Sequence, residues 1–357
     1  MNKKLIAIAV GAALAAPMAA QADVNVYGRA QLELANTKYD GAVDPNNNQT
    51  IRGLTDQGKM GRVGVNATED LGNGLTGLAH FGFIAVTGAK SGLDARRQSY
   101  VGLSGGFGTV RFGRLAGTYK GTNLDPYIAT TLEARSFGGE SRGNFGHNGF
   151  INDVVKYDNK FGNVKFSALA TLGNNNNGDS GDFQAAVDYK GGPLRVILAY
   201  AKNKDASAFD VNGAANATAE KRTKLAAQYK IGPGKATLSY ESVKDYSDTN
   251  IGGLPFDAIK PATYSPSATS QSLGDVRFLM ASYNWNLGNM NSLYFRYSNE
   301  KYKDQNDMKA KGYVVAFQHK MSRTMRVWAG YNQVKFDGIT GSSPKMTNFT
   351  VGMRKDF

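Results

Sequence analysis

The feature that most constrains this chain is an alternation of apolar and polar residues with a period of two. In segment 24–34 the even-numbered residues are apolar or small, and the odd-numbered residues are mostly polar. The same alternation recurs at 183–189, 224–229 and 325–332. It is typical of β-strands that have one apolar and one polar face. A long series of such strands would expose unpaired edges unless it closed into a barrel.

The connections between these segments have two sizes. Short turns rich in Gly and Asn, which accept the backbone conformation of tight hairpins, lie at 71–74, 105–108, 160–163, 190–193, 231–234, 287–290 and 321–324. Longer polar segments lie at 36–57, 88–96, 115–150, 173–181, 203–220, 245–274, 303–310 and 337–345. Their alternation predicts about sixteen strands of about 9–12 residues, the length of tilted strands that cross a bilayer.

The first residues predict export from the cytoplasm. Two lysines precede an apolar run at 5–16, and small residues at 20–22 fit a signal peptidase site. We therefore predict a signal peptide at 1–22 and a single barrel domain at 23–357. A membrane anchor is the alternative, but the apolar run is shorter than the roughly 20 residues of a membrane helix.

The charge balance and the absence of cysteine limit the classes of partner. Residues 1–22 contain two of the 42 Lys and Arg residues and none of the 29 acids, so the mature chain has a net charge of +11. A basic chain can bind nucleic acid, but the predicted export excludes that partner. Anionic solutes and anionic lipid headgroups remain. The chain has no cysteine and only three histidines, far apart in sequence, so a His–Cys metal cluster is excluded.

Several short segments occur in an order that resembles a known family. They are Val24–Gly28, Gly61–Val65 with Glu69–Gly74, Arg97–Leu103, Gly105–Arg114, Phe137–Glu140, Val155–Asp158 and the terminal Phe357. Together they resemble the general-diffusion porins of Gram-negative outer membranes. The resemblance implies an all-β, antiparallel up-and-down transmembrane barrel of about sixteen strands. It also implies short periplasmic turns, long extracellular loops and a third loop, here 115–150, that folds inward to constrict the pore.

The same resemblance implies a set of pore-lining residues. Basic residues on the wall would face acidic residues on the third loop. The candidates are Arg29, Arg62 and Arg97 on the wall, Lys156 at the place of a fourth wall arginine, and Glu133, Arg135, Glu140 and Arg142 on the loop. The alternation adds Arg111 to the wall. The two loop arginines depart from the family pattern of an acidic loop, and they favour a more positive constriction.

The predicted function is a water-filled channel for passive diffusion of small hydrophilic solutes and ions. By the alternation, the inner face also carries Lys165, Arg195, Lys224, Arg296, Lys320, Arg326 and Arg354, against the acids Glu33, Asp188 and Glu241. A surplus of cations in a narrow pore concentrates anions, which predicts a modest anion preference. Screening over a Debye length of about 8 Å at physiological salt is the alternative, and it would leave the pore nearly unselective.

The resemblance also implies partners and argues against catalysis. It implies a homotrimer in outer-membrane lipid and lipopolysaccharide, assembled by the barrel-assembly machinery through Phe357. No enzymatic activity, cofactor or metal is predicted. Gly72–Gly77 and Gly102–Gly106 match nucleotide-loop and nucleophile-elbow patterns, but both lead into strands, not helices.

Other functions stay open at this point. A solute-specific channel for phosphate, organic acids or sugars would need a binding track, to which Tyr119, Tyr127, Phe137 and Phe145 could contribute. A barrel enzyme would need a Ser–His or Asp–His site at the rim, and no such arrangement is evident. Long loops could also serve as an adhesin or a phage receptor, which is compatible with a channel.

Overall fold

A computed structural model describes most of the chain after its first 21 residues. The described ranges are 22–41, 48–55, 61–85, 87, 93–94, 97–135, 139–143, 145–147, 149–172, 181–203, 220–246, 250–251, 254–255, 274–304, 308–338 and 343–357. The predicted signal peptide, apart from Ala22, lies outside these ranges. No helix among the described residues is long and apolar enough to cross a membrane.

Twenty β-strands account for nearly all of the regular structure. They are β1 (Asp23–Asp40), β2 (Gln49–Thr55), β3 (Arg62–Gly72), β4 (Leu75–Ala85), β5 (Leu93–Asp94), β6 (Ser99–Gly105), β7 (Gly108–Ala116), β8 (Phe150–Phe161), β9 (Val164–Thr171), β10 (Phe183–Gly191), β11 (Leu194–Lys202), β12 (Lys221–Ile231), β13 (Gly234–Lys244), β14 (Asn250–Ile251), β15 (Leu254–Pro255), β16 (Val276–Leu287), β17 (Asn291–Tyr302), β18 (Met308–Lys320), β19 (Met325–Asp337) and β20 (Lys345–Asp356). Among the described residues, a 3-10 turn covers Tyr119–Thr122.

Eighteen of these strands form one closed antiparallel sheet. β2 and β3 both pair with β1, and β5 and β6 both pair with β4, so each couple forms one interrupted barrel strand. Sixteen barrel strands result, which confirms the predicted fold class. The barrel closes where β1 pairs with β20, and the last residue continues that pairing, because Phe357 N donates to Gly28 O at 3.1 Å.

All seven predicted short turns lie between paired strands, at one end of the barrel. The described parts of the predicted long connections lie at the other end, and strands extend into several of them, including β5 in 88–96 and the start of β18 in 303–310. β1 continues through Asp40 and pairs with Gln49–Thr55, inside the segment predicted as a loop at 36–57. Likewise, β14 and β15 form a small hairpin within the predicted loop at 245–274. Most of the predicted loops at 173–181 and 203–220 lies outside the described residues.

The outer face of the barrel is a continuous apolar band. Leu198, Leu225 and Tyr240 lie side by side on three neighbouring strands, and their exposed fractions are 54%, 55% and 42%. Phe161 and Trp285, at strand ends, are also exposed, as expected of aromatic residues at a membrane interface. So large an exposed apolar surface on a soluble protein would cause aggregation. The acyl chains of a lipid bilayer are an apolar environment that matches this band.

The inner face is less uniformly polar than the alternation predicts. Near the long-loop end, an apolar cluster covers the inside of β13 and β16–β20. It contains Val243, Tyr246, Val276, Phe278, Tyr302, Met308, Ala310, Val334, Phe336 and Met346. The alternation persists there, but its faces are exchanged: apolar residues point inward, and cations such as Lys244, Arg277 and Lys335 point outward. This part of the barrel is therefore packed in the manner of a protein core.

The apolar band makes a direct prediction about stability. Leu198 points into the band at mid-strand, so Leu198→Arg places a charge in the hydrocarbon and we expect it to cost about 2–4 kcal/mol of unfolding free energy. Thr223→Arg, on the same face of the next strand but closer to the rim, is expected to cost about 0–1 kcal/mol. Urea-induced unfolding in lipid vesicles measures both changes. Equal costs would contradict the assigned membrane depth.

Candidate functional site

The segment 117–149 joins β7 to β8, and we call it loop 3. Its described residues fold into the interior of the barrel. Its two roots pack together through Leu115, Tyr119, Phe145 and Ile151, all buried. Gln184 on β10 contacts both roots, because its side-chain oxygen accepts from Tyr119 N at 2.9 Å and its amide donates to Phe145 O at 2.9 Å. Loop 3 then extends across the interior and makes three polar anchors with the opposite wall.

The first anchor is Glu33 on β1. Its carboxylate accepts hydrogen bonds from Thr131 N at 3.0 Å and Thr131 Oγ1 at 2.8 Å. Trp328 Nε1 at 3.3 Å and Thr350 Oγ1 at 3.1 Å also donate to it. Glu33 is fully buried, so the cost of removing its charge from water is offset by these donors. The anchor holds the middle of loop 3 against the first and last strands.

The second anchor joins loop 3 to β17. Arg296 NH1 lies 3.3 Å from Asp125 Oδ2 and donates to Leu132 O at 2.9 Å. Asp125 also accepts from Tyr127 N at 2.9 Å and from Ala134 N at 2.6 Å. A single carboxylate thus shapes the loop and attaches it to the wall.

The third anchor is a cluster of four buried titratable groups between loop 3 and β12–β13. Lys224 Nζ lies 2.9 Å from Glu140 Oε1 and 3.4 Å from Glu241 Oε1. His147 Nε2 lies 2.6 Å from Glu241 Oε1, and Ser141 N donates to Glu241 Oε2 at 2.9 Å. The side chains of Lys224, Glu140, His147 and Glu241 are at most 1% exposed.

The third anchor has the composition of a metal site. Glu140, His147 and Glu241 each present one potential ligand atom, and these atoms lie within 4.8 Å of one another. However, Lys224 Nζ lies within 3.4 Å of all three side chains. The lysine ammonium therefore already supplies positive charge to the two carboxylates, as an ion-pair network.

These anchors change the expected role of the loop acids. The acids on the described part of loop 3, Asp125, Glu133 and Glu140, are 5%, 2% and 1% exposed. Glu133 Oε2 accepts from Ala129 N at 2.7 Å and pairs with Arg135 Nε, also at 2.7 Å. The sequence placed Glu133, Arg135 and Glu140 at the surface of the pore, whereas the structure uses them to fold and attach the loop.

A row of arginines covers the wall near the closure of the barrel; we call Arg29, Arg62, Arg97, Arg326 and Arg354 the arginine wall. Arg29 lies directly across from Arg62, and Arg326 lies directly across from Arg354. Like charges at opposed positions repel. Asp356 is the carboxylate that pairs with this row, at 3.1 Å from Arg29 and 2.7 Å from Arg354.

Aromatic rings support the cations of this wall. Tyr27, His80 and Tyr100 form a stack with centroid distances of 5.9 and 5.0 Å, and Arg62 lies 5.8 Å from the Tyr27 ring. Arg97 lies 5.7 Å from the ring of Phe150, and Lys120 of loop 3 lies 4.0 Å from that ring. Cation–π contacts of this kind hold guanidinium groups in fixed positions. The positive charge on the wall is therefore preorganised.

The surroundings of Lys120 shift the pKa of its ammonium group. Burial lowers the pKa of Lys120 well below its ordinary value, and repulsion from Arg135 and Arg97 lowers this pKa further. Glu133 acts in the opposite direction.

The other predicted site residues are dispersed. Arg111 pairs with Asp158 at 2.8 Å within the wall, and Lys156, directly across from Arg111, donates to Ala116 O at 3.1 Å and so braces the root of loop 3. Arg142 lies on loop 3 and is half-buried. Lys224 and Arg296 point inward as predicted, but loop 3 covers them.

The proposed aromatic track is also placed differently. Tyr119, Tyr127 and Phe145 are at most 3% exposed and pack between loop 3 and the barrel wall. Phe137 lies outside the described residues. The three described rings therefore pack loop 3 against the wall. The sequence analysis missed His147 and Gln184 as anchors because neither lies in a recognisable motif.

Comparisons with known proteins agree with this architecture. The model of the Gram-negative porin family matches residues 7–339. The major outer membrane protein P.IB of Neisseria meningitidis serogroup B is 37% identical over 131 residues, which is 36% of this chain and 38% of that protein. The outer membrane porin protein 32 of Delftia acidovorans is 38% identical over 136 residues, 37% of each chain. The chain thus aligns with less than two-fifths of the length of these curated relatives.

Solved structures with low sequence identity share the fold. The anion-selective porin from Comamonas acidovorans has a TM-score of 0.68 at 20% identity, covering 94% of this chain and 100% of that one. The trimer form of OmpT of Vibrio cholerae has a TM-score of 0.64 at 15% identity, covering 94% and 99%. From the family match over most of its length and the closed barrel with an inward-folded loop, we conclude that the chain belongs to the Gram-negative porin family.

Proposed function

We propose that this protein forms a water-filled channel in the outer membrane, through which small hydrophilic solutes and ions diffuse with a modest preference for anions. The observation that carries the preference is an imbalance of accessible charge. Five arginines line one wall, whereas Asp125, Glu133 and Glu140 of the facing loop are buried in contacts of their own. A solute passing between loop 3 and this wall meets mainly positive charge.

The electrostatics of a narrow pore explain why this imbalance matters. A cation surplus beside low-dielectric walls raises the local concentration of anions and lowers that of cations. Screening limits the range of the effect to about 8 Å at physiological salt, so only ions near the wall are affected. A modest selectivity is therefore expected. A solved structure with the same fold is described as an anion-selective porin, which supports a preference for anions over cations.

The family indicates a channel rather than an enzyme. We further propose a homotrimer, supported by the trimer form of the structurally similar OmpT. A signal peptide at 1–22 would direct export, and Phe357 would be read by the barrel-assembly machinery. Chemical crosslinking of the purified protein in detergent, followed by gel electrophoresis, tests the trimer.

Conductance in a planar bilayer tests the proposed function. With the mature protein between two KCl solutions of different concentration, we expect stepwise openings and a reversal potential that favours chloride. The preference should weaken as both solutions are made more concentrated, because salt screens the arginines. A potential that favours potassium would contradict the proposed role of the arginine wall. The absence of any conductance would contradict the channel itself.

A further inference from the structure

A cavity of about 260 Å³ lies inside the barrel, between loop 3 and the wall. The segment 123–126 of loop 3 covers it, and its wall is formed by the inner faces of β11, β12, β13, β16 and β17. These five strands carry none of the residues of the arginine wall. The cavity is smaller than the roughly 300–1,000 Å³ of pockets for drug-sized ligands, so it suits a small solute. We call it the loop 3 pocket.

One row of side chains on the pocket wall is polar and carries no net charge. Gln228, Thr237 and Ser282 are directly opposed on three neighbouring strands. Gln228 Nε2 donates to Thr237 Oγ1 at 3.1 Å, which leaves the carbonyl oxygen of Gln228 and the hydroxyl proton of Thr237 for a ligand. Arg195 continues the row on β11, but Asp188 neutralises it through hydrogen bonds of 2.9 and 2.7 Å. The row therefore offers amide and hydroxyl groups.

A second row, one inward position closer to the short turns, adds a cation. Lys235, Asn284 and Tyr294 are directly opposed on β13, β16 and β17. Lys235 is exposed, Asn284 is half-buried and Tyr294 is buried, so access falls along the row. Lys230 lies directly opposite Lys235 on β12, and neither lysine pairs with a carboxylate among the described residues. Because opposed like charges repel, an anion beside Lys235 would relieve this repulsion.

Contacts of loop 3 hold the roof of the pocket in place. Asn123 Nδ2 donates to Glu140 Oε2 at 2.6 Å, and Asn123 Oδ1 accepts from Asp125 N at 2.7 Å. Asp125 in turn pairs with Arg296, which lies directly opposite Ser282 of the first row. The second anchor thus fixes the roof relative to the wall. A cavity formed before the ligand arrives avoids part of the entropic cost of binding.

The charges around the pocket indicate the kind of solute that it suits. Arg195 is paired with Asp188, and Asp125 is paired with Arg296. Lys235 is therefore the charged residue of the lining that is left for a ligand. Amide and hydroxyl side chains both donate and accept hydrogen bonds, as the hydroxyl groups of a solute do. One cation beside such groups matches a solute with one carboxylate and several hydroxyl groups.

We propose that the loop 3 pocket binds a small sugar acid, with its carboxylate on Lys235 and its hydroxyl groups on the amide and hydroxyl side chains of the two rows. This inference rests on the proposed function, because the solute reaches the pocket through the lumen. The hydrogen bond between ammonium and carboxylate is about twice as strong as a neutral one and orients the solute. The hydroxyl groups then distinguish a sugar acid from other carboxylates, since an acid that lacks them leaves the polar side chains without partners.

Equilibrium dialysis of labelled gluconate against the refolded full chain in a nonionic detergent tests the proposal. Lys235→Gln should weaken the binding of gluconate about tenfold, because a hydrogen bond between charged groups is lost. The matched control is Lys320→Gln, which removes an exposed lysine near the same short turns but on β18, outside the pocket. Its affinity for gluconate should change less than twofold. Equal affinity of the two variants would overturn the proposal.

Two further ligands separate the carboxylate from the hydroxyl groups. Glucose has no carboxylate, so it should bind about tenfold more weakly than gluconate, and Lys235→Gln should leave its affinity unchanged. Hexanoate has no hydroxyl groups and should also bind more weakly. Asn284→Leu should weaken gluconate about fivefold and leave hexanoate unchanged, because only gluconate uses the amide. Binding of either glucose or hexanoate as tightly as gluconate would overturn the assigned ligand class.

The arginine wall is the competing site for a carboxylate within the lumen. The variant that combines Arg62→Gln, Arg97→Gln and Arg326→Gln removes cations of that wall and leaves the lining of the loop 3 pocket unchanged. Its affinity for gluconate should change less than twofold. A tenfold loss of affinity in this variant would place the carboxylate on the arginine wall and overturn the proposal.

The same preparations separate this proposal from the proposed function. Folding of each variant is checked by its mobility on gels before and after heating, and Gln228→Leu replaces Asn284→Leu if the latter does not fold. Conductance is then measured in planar bilayers. A protein that conducts but does not bind gluconate retains the channel and contradicts the pocket. A protein that binds gluconate without conducting contradicts the channel and retains the pocket.

Discussion

Replacing Lys224 with methionine is expected to release part of loop 3 and to enlarge the pore. Lys224 neutralises Glu140 and Glu241 in a place that water does not reach. Removing one partner of a buried ion pair leaves an uncompensated charge and costs about 3–5 kcal/mol. The change with the lowest free-energy cost is that Glu140 moves away from the wall together with its segment of loop 3. Single-channel conductance should rise and become noisier, and unfolding in urea should begin at a lower concentration.

Two comparisons make the Lys224 prediction specific. Lys320→Met removes a lysine that is exposed near the short turns, so it should change neither conductance nor stability. Adding Glu140→Gln and Glu241→Gln to Lys224→Met should recover part of the lost stability, because neutral partners no longer need a cation. Unchanged conductance and stability in Lys224→Met would show that the third anchor does not hold the loop.

Neutralising the arginine wall is expected to abolish most of the anion preference. In the triple variant Arg62→Gln, Arg97→Gln and Arg326→Gln, three cations are lost while Arg29, Asp356 and Arg354 keep their ion pairs. The ratio of chloride to potassium permeability should fall about three- to tenfold, since a narrow pore responds strongly to the sign of its lining charge. The reversal potential in a KCl gradient measures this ratio.

The matched control for this variant removes the same number of cations from the outer face of the barrel. Arg277→Gln, Lys309→Gln and Lys335→Gln also delete three cations, but these lie on the outer face of the barrel. Their effect on the reversal potential should be small, because the lumen is separated from them by the sheet. An equal loss of selectivity in both variants would mean that overall charge, and not the arginine wall, sets the preference.

The sequence predicted the strands and their facing because both are local properties. Leu198 and Leu225 face outward and Glu33 and Lys224 face inward, as the period-two pattern requires. The segment around Asn36–Asp40 was wrongly predicted as a loop for a related reason. β1 continues beyond the apolar band there, where both faces of a strand are polar and no alternation marks it.

The docking of loop 3 could not be predicted in the same way. Whether an inward residue lines water or lies under the loop depends on contacts between distant segments, such as Asp125 with Arg296 and Glu140 with Lys224. Each of these side chains, taken alone, looks like a charge on a pore wall. The alternation assigns a face, whereas the water exposure of that face is set by tertiary packing.

The four donors around Glu33 have a consequence for how this protein is assembled. They come from loop 3, from β19 and from β20, so Thr131, Trp328 and Thr350 surround the carboxylate only after the first and last strands have met. Before that meeting, the same carboxylate lacks most of its partners, and burying it would be costly. Closing the sheet and seating the loop therefore favour each other. An open barrel lacks these hydrogen bonds and is less stable for that reason. Docking of the final strand is therefore favoured by contacts inside the barrel as well as by backbone pairing along its edge.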